Sequence, residues 1–285
     1  MLRKIIIVVL TLLGISLMMY PVLGIYIGNL EITRISRIQA DKIAKLANNP
    51  KRANELLNKI RYYNKNIRGI PILDPYLHRM TKIGAKEYEE YEKVIPDEII
   101  ARLLVPKAHI DLPVRRGTEE SSISQGAGHL FGTALPVGGK GTNSVLTAHS
   151  GLVTASLFDD LPKLKKKDMI YVQILGKKLA YRVKKITVIK PTELELFNPV
   201  PGKDILTLFT CTPYGINTHR LVITSYRAKN ADVSQLDKRP WIYFEAFRWW
   251  MLMPIMLSLA GGGAVFYFGF TKDKKDDKNK DEKNE

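Results

Sequence analysis

A chain of 285 residues with 45% hydrophobic and 9% aromatic content is long enough for one well-filled domain with appendages, which excludes a disordered tail. Its formal charge of +16 points to anionic surroundings. The single cysteine excludes an intrachain disulfide and a multi-cysteine zinc site.

Residues 5–28 carry no charged side chain, and neither do residues 249–270. Each run exceeds about 20 residues, so as a helix rising about 1.5 Å per residue each covers a hydrocarbon core about 30 Å thick. Pro21, Pro254 and Gly261-Gly262-Gly263 are tolerable there, because membrane helices carry such breakers more often than soluble ones. Arg3 and Lys4 precede the first run, and Lys272, Lys274, Lys275, Lys278, Lys280 and Lys283 follow the second. The positive-inside tendency then predicts a multi-pass protein of the cell membrane, with both termini cytoplasmic and residues 29–248 outside. No small-x-small cleavage site follows the first run, which argues against a removed signal peptide. Trp241, Tyr243, Phe244, Phe247, Trp249 and Trp250 crowd the entry to the second run like an interfacial belt. An outside location with no aromatic-interleaved basic motif argues against nucleic acid as a partner. Lipid headgroups and anionic cell-wall polymer suit the charge better.

Leu30, Ile32, Ile35 and Ile38 continue at helical spacing, and after Asn48-Asn49-Pro50 the spacing recurs in Ala53, Leu56, Leu57, Ile60 and Tyr63. This predicts a helical stalk over residues 29–97. Gly69, Pro71 and Pro75 interrupt it with a loop within about 67–80, and a charged helix follows at 82–93. From Glu98 the texture becomes short runs rich in Val, Ile, Thr and Tyr between Gly and Pro clusters. Strands are expected at 99–105, 108–110, 144–148, 169–175, 179–189, 205–210 and 221–226, with a hairpin at Leu175-Gly176-Lys177 and a short helix near 155–164. The fold class is mainly β: a closed or nearly closed barrel over 98–228, then a linker at 229–248, the second span and a charged tail at 271–285.

Cys211 ends the run 205–210 directly before Thr212-Pro213, where a strand presents its last side chain at a barrel rim. The same position suits a small buried hydrophobe. A reactive thiol needs a cationic or proton-accepting neighbour. Arg220, nine residues on, starts the next strand and would lie near Cys211 in an antiparallel pair, its permanently charged fork suited to an oxyanion. His78, His109, His129, His149 and His219 are all candidates for the base. Spacing does not choose among them.

Thr207-Leu208-Phe209-Thr210-Cys211, followed by Arg220, resembles the TLxTC signature and arginine of the sortase family. Residues 132–139 and Val145-Leu146-Thr147-Ala148-His149-Ser150-Gly151-Leu152 resemble the family's approach to its catalytic histidine, which selects His149. Asn143 stands where similar sequences often carry histidine in a Thr-His pair, a departure read as peripheral. Asp74-Pro75-Tyr76 resembles the lid motif of class C, pilus-assembling sortases, in which the aspartate meets the active-site arginine and the aromatic ring covers the cysteine. A second, C-terminal span is also a habit of that class.

The resemblance covers about 99–227 and implies a sortase-type barrel with Cys211 as nucleophile, His149 as general acid/base and Arg220 as oxyanion or substrate donor. The implied activity is cysteine transpeptidation: cleavage of an LPxTG-like sorting signal of pilin subunits through a thioester on Cys211, then transfer to a lysine amine of another pilin. It requires no metal or organic cofactor. Competing readings are a housekeeping sortase that joins proteins to peptidoglycan, a hydrolytic cysteine protease, and a catalytically idle membrane scaffold for pilins.

Overall fold

The computed structural model describes residues 2–47, 49–67, 72–76, 85–94, 97–238 and 242–268. His78, Trp241, part of the expected 67–80 loop, the first residues of the expected 82–93 helix, the last two residues of the second apolar run and the charged tail lie outside them. Among the described residues two helices are long and apolar enough to cross a membrane, Lys4–Lys42 and Trp249–Phe266.

The first apolar run and the amphipathic stretch after it form one helix, α1 (Leu2–Ala47), of 46 residues. At 1.5 Å per residue it is about 69 Å long, twice what a bilayer core requires. Its first half exposes Leu10, Leu12, Leu13 and Leu17, whereas its second half buries Ile32, Ser36 and Ala40. That i, i+4 spacing puts the buried residues on one face. Asn49 caps α2 (Pro50–Asn66) by accepting from the Arg52 N–H at 3.2 Å, and Pro50 enters at the first turn, where its missing N–H is not needed. α2 buries Leu57 and Ile60, and α3 (Ala85–Val94) follows.

Eight strands come next: β1 (Ile99–Val105), β2 (Ile110–Arg116), β3 (Ala127–His129), β4 (Thr142–Thr147), β5 (Met169–Ile174), β6 (Lys177–Ile189), β7 (Asp204–Thr212) and β8 (His219–Arg227). A short helix, α4 (Glu120–Ile123), precedes β3; α5 (Ile242–Ala246) and α6 (Leu252–Phe266) follow the barrel. The strands close in the order β1-β2-β3-β4-β7-β8-β6-β5, parallel at β2–β3 and β4–β7 and antiparallel elsewhere. β4 and β7 are buried along nearly their whole length, so neither shows the inside–outside alternation of burial that marks a strand with one solvated face.

Two expectations need correction, and one strand was not expected. Residues 106–108 form a 3-10 turn instead of opening a strand, because Pro106 lacks a ladder N–H and His109 takes a left-handed φ of 50°; β2 starts only at Ile110. The helix expected near 155–164 shrinks to a 3-10 turn at Leu161–Lys163, since Leu157 has φ 35° and the Phe158 N–H bonds back to the His149 carbonyl. β3 went unforeseen because three residues carry no readable period, and its Gly128 is required where a β-carbon would collide with the Gly117 carbonyl.

Buried polar groups tie the helices to the barrel. Arg102 on β1 donates twice to Asp111 on β2, at 2.8 and 2.6 Å, and once to the Leu236 carbonyl at 3.0 Å. Ser36 of α1 donates to the same carboxylate at 2.6 Å, so one ion pair joins the long helix, two strands and the chain after the barrel. Tyr91 of α3 meets His129 Nδ1 at 2.9 Å, while Nε2 lies 2.9 Å from the Ala134 carbonyl. A carbonyl only accepts, so Nε2 carries the proton and Nδ1 receives the tyrosine hydroxyl. Burial pulls the His129 pKa down to about 4, and the hydrogen bond to Ala134 offsets only part of this.

Asp111→Ala should cost about 3–5 kcal/mol, because it strands a buried guanidinium, and should lower the urea midpoint of the full chain in micelles. His129 binds its proton near pH 6.5 when unfolded and only near 4 when folded. Its contribution is therefore whole above pH 6.5 and is lost as the pH falls toward 4, an effect of about 3 kcal/mol. Asp159, whose pKa burial raises to about 6, changes stability in the opposite sense over this range. Comparing wild type with His129→Gln cancels that term; the variant should lack the acid-side loss in unfolding free energy.

Candidate active site

β7 and β8 pair so that Cys211 is directly opposite Arg220. Alternation along the strands sends both side chains to the same face at the strands' shared end. β4 runs parallel to β7 as far as Thr147 opposite Phe209, and side chains continue the pairing beyond the ladder. Thr210 Oγ1 donates to the Ala148 carbonyl at 2.8 Å, and Ser150 Oγ donates to the Cys211 carbonyl at 3.1 Å. The residues on either side of His149 are thus stitched to the end of β7, which brings the imidazole to the rim that holds the thiol.

Tyr76 occupies the middle of this rim. Its ring centroid lies 5.5 Å from that of His149, and the Arg220 guanidinium carbon stands 5.0 Å from the same ring, a cation–π arrangement. Thr147 Oγ1 spends its proton on the Phe209 carbonyl at 2.8 Å, so it accepts from the Tyr76 hydroxyl, also at 2.8 Å. Ile72 and Tyr76 close over an apolar cluster that contains Phe197, Phe209 and Val222.

Asp74, 1% exposed, makes the strongest contact. It accepts from Arg220 Nε at 2.7 Å and from Nη2 at 3.1 Å, while its Oδ1 also accepts the Tyr76 N–H at 2.9 Å. Arg220 Nη1 donates to the Asn217 and His219 carbonyls at 2.9 and 3.0 Å. Each nitrogen of the guanidinium therefore already has an acceptor.

Cys211 is 8% exposed. Burial raises its thiol pKa; Arg220 pulls it down, and the Asp74 charge works against Arg220. His149 Nε2 lies 3.0 and 3.1 Å from the two carboxylate oxygens of Glu120 on α4. A carboxylate only accepts, which places the proton on Nε2 and leaves Nδ1 as the basic nitrogen of the neutral ring. The loop after His149 is held by the Phe158 N–H on the His149 carbonyl at 3.1 Å and by the Gly151 N–H on Asp159 at 2.7 Å.

Known proteins share this architecture. The crystal structure of sortase C-1 from Actinomyces oris is 46% identical, with 62% of this chain and 98% of that chain covered and a TM-score of 0.59. This chain belongs to the sortase family. The sortase domain family matches residues 103–228. Sortase A from Corynebacterium diphtheriae is 37% identical over 70% of this sortase and 94% of that chain, with a TM-score of 0.62. The curated sortase A of Streptococcus agalactiae serotype III (strain NEM316) is 28% identical over 143 residues, 49% of this chain; this sortase spans 57% of that relative's length.

The structure gathers Cys211, His149, Arg220, Asp74 and Tyr76 at one rim, with Pro75 between the last two. His129 is buried in the barrel instead, His109 follows the 3-10 turn before β2, and His219 opens β8 opposite Thr212. Sequence reasoning passed over Glu120, Thr147 and Asp159 as partners, and no spacing marks them, since they lie on other elements. Asn143 is buried and brackets Thr207 with the Leu196 and Phe197 carbonyls. Among the described residues no group of three or more His, Cys, Asp or Glu side chains forms a metal site.

Asp74→Ala removes a charge that raises the Cys211 pKa, which favours thiolate. A lower thiol pKa means a larger thiolate fraction near neutral pH, and the thiolate is the form that reacts. Iodoacetamide labelling should accelerate accordingly and its pH midpoint should move down; an unchanged profile would remove Asp74 from the electrostatics of the thiol.

Proposed function

We propose that this sortase is a cysteine transpeptidase of class C, anchored by α1 and α6 in the cell membrane with both termini cytoplasmic, which polymerises pilins. The reading is carried by the convergence of Cys211, His149 and Arg220 around Tyr76. Similarity to sortase C-1 of Actinomyces oris supports the class.

Cys211 thiolate attacks the threonyl carbonyl of an LPxTG-like sorting signal. Arg220 donates to the oxyanion, and His149 as imidazolium protonates the leaving amine. A thioester on Cys211 remains. The lysine amine of the next pilin loses its proton to His149 and attacks the thioester; the thiolate leaves and an isopeptide bond results. Bond exchange of this kind needs no nucleotide, metal or organic cofactor.

The contacts of Asp74 and Tyr76 describe a resting state. Asp74 occupies the donors that the oxyanion would use, and Tyr76 lies over the rim, so Asp74-Pro75-Tyr76 acts as a lid that substrate displaces. A similar structure from Corynebacterium diphtheriae, 36% identical, is a lid mutant of sortase A.

A second reading, the housekeeping attachment of proteins to peptidoglycan, is favoured by the similarity to sortase A proteins. The acceptor separates the two. Incubation with an LPxTG-type peptide should leave an acyl group ending at threonine on Cys211, visible by mass spectrometry and absent in Cys211→Ala. A pilin bearing an accessible lysine should then resolve it. Resolution by oligoglycine alone would favour the housekeeping role, and release only as free acid would end the transpeptidase reading.

A further inference from the structure

The loop that begins at His149 touches α1 inside its apolar run. A β-carbon on Gly24 would stand 3.0 Å from the Val153 carbonyl oxygen, and one on Gly28 would overlap the Thr154 carbonyl oxygen. Only glycine lets the loop lie this close to the helix. The next residue, Asn29, clamps the loop: its side chain accepts from the Ser156 N–H at 2.9 Å and donates to Ser156 Oγ and to the Ala246 carbonyl of α5, both at 3.1 Å.

The second apolar helix gives the height of this contact. Ser258 meets Met18, a β-carbon on Gly262 would touch Ile15, and Met251 packs with Val22 and Ile25, so α6 descends antiparallel to α1 from the level of Val22–Ile25. Trp249, 75% exposed, stands at that level. From Lys4 to Gly24 is about 20 residues, or about 30 Å of helix, the thickness of the hydrocarbon core. Val153, 60% exposed, is therefore level with the outer edge of that core.

The catalytic rim presents further apolar surface on this side. Tyr214, three residues after Cys211, packs against Gly151, and Tyr214 and Ile216 are both exposed. The neighbouring 3-10 turn between β1 and β2 is cationic. Lys107, Lys163 and Arg248 all act electrostatically on His109, whose carbonyl accepts from Arg248 at 3.0 Å; Asp160, the acidic group among them, pairs with Lys163 at 2.7 Å, which leaves the cluster with a net positive charge. Apolar tips flanked by Lys and Arg suit an interface with anionic lipid.

We propose that this sortase rests its catalytic rim on the bilayer: the 152–154 loop lies in the headgroup layer with Val153 at the hydrocarbon edge, and Lys107, Lys163 and Arg248 face anionic headgroups. This rests on the reading that α1 and α6 cross the membrane. The thiol then works at the membrane surface instead of at the end of a stalk.

The test uses full-length Cys211→Ala protein, which has no other cysteine, reconstituted in phosphatidylglycerol/phosphatidylcholine vesicles. Single cysteines replace Val153, Lys140 or Leu12, each carries bimane, and quenching is read with lipids spin-labelled at the headgroup and along the acyl chain. Lys140 is the barrel control, because it precedes β4 at the end away from His149. Val153→Cys should be quenched several-fold more than Lys140→Cys by the headgroup label, and Leu12→Cys most by the acyl-chain label. Equal, weak quenching at 153 and 140 with strong quenching at 12 would overturn the docking and leave the anchor standing. Weak quenching at all three sites would overturn both.

Discussion

The register of β7 against β8 is the constraint on which the site depends. Successive side chains on a strand point to opposite faces, so Cys211 and Arg220 share a rim only because they are direct partners in that ladder. A slip of one residue would turn the thiol to the other face of the barrel wall, away from the guanidinium. The parallel pairing of β4 with β7 acts the same way on His149, with Thr210 and Ser150 carrying the match past the end of the ladder. Barrel closure around these strands holds the register, since each is paired on both edges.

Within that frame, burial raises the Cys211 pKa most, and one buried ion pair acts beside it. Arg220 is the group that stabilises a thiolate at Cys211, and Asp74 both takes up its donors and opposes its charge. A buried, bidentate pair of this kind is costly to break one-sidedly and tolerable when both partners leave together. Tyr76 adds an edge contact to His149, a cation–π contact to Arg220 and a hydrogen bond to Thr147, so Asp74 and Tyr76 together touch the rim from several sides at once.

The long first helix belongs to the barrel as much as to any membrane. Ser36 reaches the Arg102–Asp111 pair, Asn29 holds the loop that starts at His149, and Gly24 and Gly28 let that loop approach the helix backbone. A helix that continues unbroken from an apolar run into such contacts transmits its position and tilt directly to the rim that holds His149 and Cys211, without a flexible linker between them.

The two apolar runs, the change to β texture at Glu98 and most strand positions were legible in the chain, because length, charge and short-range pattern are local properties. Cys211 and Arg220 were also marked, by strand-end position and by the sortase motif; the motif alone separated His149 from four other histidines. Tertiary structure decided the rest. β3 is too short to carry a period, the turn at 106–108 follows from a left-handed His109, and the Glu120, Thr147 and Asp159 contacts join elements that no sequence spacing connects. Asp74 meets Arg220 across 146 positions, and Asn29 meets Ser156 across 127. Such contacts depend on how the closed barrel folds back on α1 and on the segment at 72–76, a property of the whole chain that no window of neighbouring residues encodes.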